Sequence, residues 1–197
     1  MRNLIATIKH KWANRSVQSR QRLWDKEYAN GFGEVLKLPQ ERAHYATLVD
    51  FMASAGKNRT ILDVGCGEGG LLDLLGPCGY EKYLGVDFSE VALKRAAQRA
   101  NASTAFVHAS AESFVPGERF DVIVFNECLY YFHEPLRVLQ RYPQYLAPGG
   151  IILISMLRKT DRVKQLNEEI SRKYKVAQRA TVTNQGGTWD CMMIAGS

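Results

Sequence analysis

Five short apolar runs punctuate this chain from residue 60 onward: TILDV (60–64), YLGVDF (83–88), TAFVHAS (104–110), FDVIVFNE (120–127) and GGIILISML (149–157). Each has the length of a strand and is apolar on both faces, as a strand covered on both sides must be. Stretches with helical spacing separate most of them. Strands and helices in alternation imply a parallel sheet with right-handed crossover helices on both faces. The closing stretch AQRATVTNQGGTWDCMMIAG (177–196) alternates around Gly186-Gly187, which predicts two strands joined by a turn. The expected fold is therefore α/β: a Rossmann-like doubly wound sheet, mostly parallel, with a C-terminal antiparallel hairpin.

The connecting segments carry their own signals. GGLLDLLGPCG predicts a short helix broken at Gly76-Pro77. In SEVALKRAAQRANA, Ser89 is placed as an N-cap for a helix reaching Ala100. EPLRVLQRYPQYL predicts a helix that breaks near Pro143, and residues 160–174 predict another. Upstream, helices are expected over 3–12, 16–29 and 40–55, with a turn at NGFGE (30–34). Tyr45, Leu48, Val49 and Met52 form the apolar stripe of the third. With 197 residues the chain is one compact domain. Within it, residues 1–45 form an N-terminal helical cap and residues 46–197 the sheet domain.

The first apolar run leads into DVGCGEGG, where Gly65, Gly67 and Gly70 have the spacing of a dinucleotide-binding loop. In such sheets ligands sit beyond the carboxyl ends of the strands, where the strand order reverses. Gly65 and Gly67 let a ligand approach the backbone, whereas Gly70 fits helix packing. Helix-start amides favour an anionic group. Asp63 argues against a pyrophosphate, because a carboxylate there repels phosphate and attracts an ammonium. An α-amino acid tail offers both charges, and S-adenosylmethionine (SAM) has that tail. Asp87, at the expected exposed end of the second strand, stands where an acid meets ribose hydroxyls. Glu112, just after the third strand, is placed to accept from an adenine amino group.

Charge narrows the function classes. The net charge is +6, yet residues 1–24 carry six Lys or Arg and no acid, while residues 61–197 carry fifteen of each sign. A neutral sheet domain argues against a nucleic-acid groove across it. Cys66, Cys78, Cys128 and Cys191 show no metal-ligand spacing, so neither a metal site nor a disulfide is expected. No apolar stretch reaches membrane-spanning length and no signal peptide is visible, so a cytoplasmic protein is expected.

Taken in order, LDVGCGEGG, LGVDFS, ASAESF, FDVIVFNECLYYF and LAPGGIILIS resemble the successive motifs of class I SAM-dependent methyltransferases, from about residue 22 to the end. WDKEYANGFGEVL together with NECLYYF resembles small-molecule members, among them nodulation-type N-methyltransferases acting on sugar amines. The resemblance implies a seven-stranded sheet with N-terminal lid helices. It implies SAM as cofactor, held by Trp24, Tyr28, Asp63, Gly65, Cys66, Gly67, Asp87, Phe88, Ala111, Glu112 and Asn126. Glu127 and His133 become the candidate catalytic residues, and Tyr130 and Tyr131 candidate walls for the acceptor. The implied reaction moves a methyl group to oxygen or nitrogen of a small molecule. An RNA or protein methyltransferase and a SAM-using cyclase or lyase remain as alternatives, and a non-catalytic SAM-binding scaffold is disfavoured by the intact cofactor motif.

Residues 1–24 admit three readings. They form a lid helix with its basic face in solvent, or they lie on an anionic membrane through Leu4, Ile5, Ile8 and Trp12, a peripheral contact within residues 1–12, or they are a transit peptide. The acceptor's identity and the oligomeric state are not readable from the sequence.

Overall fold

The computed structural model describes residues 15–56, 60–76 and 79–196. The helix expected over 3–12 lies outside these residues, as does Cys78. Ser16 accepts from the Ser19 amide and so starts helix α1 (Val17–Ala29). Gly31, at φ +88°, reverses the chain in a left-handed conformation. The turn expected over 30–34 is completed there, and the chain is helical again as α2 (Phe32–Leu36). Proline at its first turn opens α3 (Pro39–Ser54), which contains both sides of the expected 45/46 domain boundary.

The sheet begins with β1 (Thr60–Val64), followed by the short α4 (Leu72–Leu75), β2 (Lys82–Asp87) and α5 (Glu90–Ala96). Ser89 caps α5 by accepting from the Ala92 amide. The helix stops at Ala96 and tightens to a 3-10 turn over Ala97–Arg99, short of the expected Ala100. β3 (Thr104–His108) ends two residues early, because the Ser110 carbonyl takes the amides of Ser113 and Phe114 in a turn. Then come β4 (Phe120–Asn126), α6 (Pro135–Arg141), the expected break at Pro143, and β5 (Leu146–Leu157). Helix α7 (Asp161–Lys173) leads to the hairpin of β6 (Val176–Asn184) and β7 (Gly187–Ala195).

The strand order is β3-β2-β1-β4-β5-β7-β6. β1 to β5 pair in parallel, and β7 runs antiparallel between β5 and β6. Alternation along the strands feeds two cores. Leu62, Val64, Ile123, Phe125, Ile152 and Ile154 face α6 and α7. Ile61, Val122, Val124, Ile151 and Leu153 face α3 and α4. Burial on both faces is why these runs read as continuous apolar sequence. The order reverses at β1, which lies between β2 and β4, and the carboxyl ends of these three strands frame the site. No described helix is long and apolar enough to cross a membrane.

Candidate active site

The loop leaving β1 is shaped by backbone contacts. The amides of Gly65 and Cys66 both donate to the Val86 carbonyl, at 2.7 and 3.1 Å. Gly65 (φ +74°) and Gly67 (φ +55°) occupy conformations that L side chains rarely adopt. A Cβ at Gly65 would lie 2.7 Å from Cys128 Cβ, and one at Gly67 would collide with the Tyr28 hydroxyl. Above this loop opens a cavity of about 1190 Å³ including its mouth. Trp24, Tyr28, Asp63, Gly65, Cys66, Gly67, Asp87, Phe88, Ala111, Glu112 and Asn126 all line it, as does Glu127.

Two carboxylates sit under the loop. Asp87 is buried, which departs from the exposed strand end expected for it. Its oxygens accept from the amides of Gly67 (2.9 Å) and Ser89 (2.8 Å), tying the loop to the start of α5. Burial pushes the Asp87 carboxyl up, and the amide bonds from Ser89 and Gly67 pull it back. Asp63 accepts from the Tyr83 hydroxyl at 2.6 Å. Burial pushes its carboxyl up to about 7, opposed by that hydrogen bond and reinforced by the charge of Asp87.

Helix α1 covers the cavity. Asp25 accepts from the Ser89 hydroxyl (2.7 Å) and the Val91 amide (3.3 Å), fastening α1 to the start of α5. Trp24 meets Tyr131 edge-on at 5.0 Å and Tyr28 at 5.8 Å. Arg20 is buried, forms an ion pair with Glu112 and donates to the Tyr131 carbonyl at 3.4 Å. Glu112 is thus engaged by a residue that the sequence presented only as one of six early cations. The loops carrying Phe88 and Ala111 are anchored through their carbonyls, which accept from His108 Nε2 (3.0 Å) and the Tyr142 hydroxyl (2.9 Å).

The segment after β4 supplies a further part of the wall. Asn126 accepts from the Ser155 hydroxyl. Glu127, at φ +56°, is the one non-glycine residue with positive φ among the described residues. A left-handed backbone at such a residue costs about 1–3 kcal/mol and marks a site worth functional scrutiny. The Tyr130 hydroxyl donates to Glu127 Oε2 at 2.7 Å. A 3-10 turn over Leu129–Tyr131 follows and sets Tyr130, Tyr131 and Phe132 against the cavity. Phe132 is extended, and the chain leaves the cavity after it. His133 is exposed and does not line the cavity, which removes the geometric ground for a catalytic histidine there.

The wall also holds residues that sequence reading assigned to packing or passed over. Tyr45 and His44, both on α3, line the cavity together with Leu157 and Lys159. His44 stacks on Trp189 with ring centroids 5.0 Å apart and planes at 18°. Burial pushes its imidazole down to about 3. A signal was available: His44 lies one turn before Leu48, on the apolar stripe of an otherwise ordinary helix. Among the described residues no group of His, Cys, Asp or Glu is arranged to hold a metal ion.

The family model described as a methyltransferase domain matches residues 38–194. Ubiquinone biosynthesis O-methyltransferase from Dinoroseobacter shibae is 33% identical over 110 residues, covering 54% of this chain and 44% of that protein. Trans-aconitate 2-methyltransferase from Rhizobium leguminosarum bv. trifolii is 28% identical over 124 residues, covering 62% and 48%. The matched stretch spans less than half the length of these curated relatives. The solved structure of N-methyltransferase NodS from Bradyrhizobium japonicum, in complex with S-adenosyl-L-homocysteine, has a TM-score of 0.77 at 21% identity, covering 89% of this chain and 97% of that one. At that identity the likeness is one of fold. The family match extends over most of the chain and agrees with the seven-stranded sheet and its reversed hairpin: the chain belongs to the class I SAM-dependent methyltransferase family.

Proposed function

We propose that this cavity binds SAM and directs its methyl group to an oxygen or nitrogen of a small molecule. One observation carries the reading: a glycine loop that tolerates no side chain sits beside two buried carboxylates in a single cavity at the strand-order reversal. Asp63 is the partner for the ammonium of an amino acid tail. Asp87 is the partner for ribose hydroxyls and at the same time braces the loop that receives them. Trp24, Tyr28 and the other described residues up to 45 act as the cap over the remainder of the chain.

The bound sulfonium supplies an activated methyl group, so transfer is an in-line displacement. What this chain adds is alignment and dryness. Trp24, Tyr131 and Phe132 give the aromatic wall that excludes water. Glu127, oriented by Tyr130, takes the proton from an acceptor that must lose one.

A small acceptor is favoured over nucleic acid by the charge of the wall. Glu41, Asp63, Asp87, Glu112 and Glu127 line the cavity against Arg20 and Lys159 alone, in a chain whose net charge is +6. That field opposes a phosphate backbone. Calorimetry with SAM, S-adenosylhomocysteine (SAH) and NAD tests the cofactor. SAM and SAH should bind and NAD should not; tight NAD binding without a response to SAM overturns the reading. Product analysis separates transfer, which yields SAH, from cyclase or lyase chemistry, which yields methylthioadenosine.

A further inference from the structure

His44 differs from the other polar groups of the cavity wall. Asp63, Asp87, Glu112, Asn126 and Glu127 each hold a partner within the protein through at least one side-chain oxygen, Glu127 through Oε2. Both ring nitrogens of His44 are buried and make no hydrogen bond with any described residue. The residue is 1% exposed, yet it forms part of the cavity wall. Its ring is held from two sides, by Trp189 at 5.0 Å and by Tyr45 at 4.7 Å. The backbone is held as well: the Cys191 thiol points at the His44 carbonyl, and Asn184 donates to the neighbouring Gln40 carbonyl at 2.9 Å. The imidazole cannot turn toward another protein group without breaking its stack. A buried polar group left without a partner weakens the fold, so such a group in a ligand cavity calls for a partner from outside.

The chemistry of that partner follows from the ring. Burial keeps the imidazole neutral, with one N–H to donate and one nitrogen to accept. An ammonium satisfies only the accepting nitrogen, and a carboxylate only the donating one. A hydroxyl both donates and accepts, so it can serve either nitrogen. Leu36, Tyr45, Tyr131 and Leu157 give the same cavity apolar and aromatic surface. It suits a planar ring or the apolar face of a sugar.

We propose that His44 is the acceptor-recognition residue of this cavity and reads a hydroxyl group on a ring-shaped acceptor. The inference rests on the methyltransferase reading and adds to it the class of molecule that receives the methyl group. Phenols and sugars share the required chemistry, and two probe pairs distinguish them: catechol against phenol, and glucosamine against its 3-deoxy analogue.

The test compares the full chain with its His44→Phe and His44→Gln variants. SAH binding is measured by calorimetry, thermal midpoint by scanning, and turnover by SAH release with each probe. The wild type should favour the hydroxylated member of one pair by about tenfold or more in kcat/KM, and that pair names the source. His44→Phe should erase the preference through KM, keep its SAH Kd within about twofold, and melt at or above the wild-type midpoint, since no unpartnered ring is then buried. His44→Gln, whose amide both donates and accepts, should keep part of the preference. If His44→Phe instead lowers the midpoint and SAH affinity and slows both members of a pair alike, His44 is a packing residue and the proposal falls. It falls too if the wild type binds SAH but discriminates within neither pair. Absence of SAH binding in the wild type overturns the methyltransferase reading itself.

Discussion

Under the glycine loop the polar groups are already matched. Asp87 accepts two backbone amides, Asp63 a tyrosine hydroxyl, and the Gly65 and Cys66 amides share one carbonyl. Elsewhere on the wall of the same cavity the arrangement is less settled. Glu127 holds a left-handed backbone, and His44 keeps two nitrogens without a partner in the described chain. The first end is assembled before any ligand arrives, as a site for an invariable cofactor permits. The second stores strain and unmet hydrogen-bonding capacity, which on the proposed reading an acceptor relieves. Preorganisation and selectivity are thus divided between two parts of one cavity.

The largest effect should come from the strained end. Glu127→Gln is expected to lower kcat by about a hundredfold or more, as loss of a general base does, while SAH affinity stays within about twofold. A variant that keeps full kcat with its true acceptor would show that this end works by alignment alone.

Asp87→Ala should act differently, because it removes a brace as well as a ligand. The amides of Gly67 and Ser89 lose their acceptor, so the fold should weaken by about 1–3 kcal/mol and SAH affinity should fall by tenfold or more. Chemical denaturation and calorimetry measure both. A loss of affinity in a fully stable variant would mean that the matched end is not held together by this carboxylate.

Protons sharpen the contrast further. Burial raises the Asp63 carboxyl to about 7 in the folded chain, above its range in an unfolded one. The folded state therefore binds the extra proton between about pH 4 and pH 7, and this residue's contribution to stability declines as pH rises across that window. An ammonium ligand needs the ionised form. SAH affinity should rise by about tenfold per pH unit below 7 and level off above it. In Asp63→Asn that rise should vanish; its persistence would assign the titration elsewhere.

The smallest effect is expected at His133. It is exposed and outside the cavity, so His133→Ala should change kcat and SAH affinity by no more than about twofold. A larger loss of kcat would extend the acceptor end beyond the wall described above.

The matched end was legible in the sequence because its geometry is local. A strand, a glycine loop and an acid at the end of the next strand are set by neighbours in the chain, so Asp63, Gly65, Gly67 and Asp87 could be placed from spacing. The rest of the cavity wall depends on distant segments. Arg20 reaches Glu112 across the fold, and His44 reaches the cavity only because α3 packs on the C-terminal hairpin. His133 was misplaced for the same reason, since a 3-10 turn decides which residues after β4 face inward. The short helix α2 was hidden by a glycine pair that reads as a turn.

The position of β7 has a consequence for how the molecule is made. It follows β6 in the chain yet lies inside the sheet, between β5 and β6. During synthesis β1 to β4 can align as they emerge, whereas β5 leaves the ribosome with one edge bare. That edge is a template for unwanted pairing until Gly187–Ala195 arrives to fill it. Trp189, on this last strand, is the support behind His44. The part of the wall that carries His44 therefore gains its support only once β7 has emerged, after β1 to β4 have had time to align.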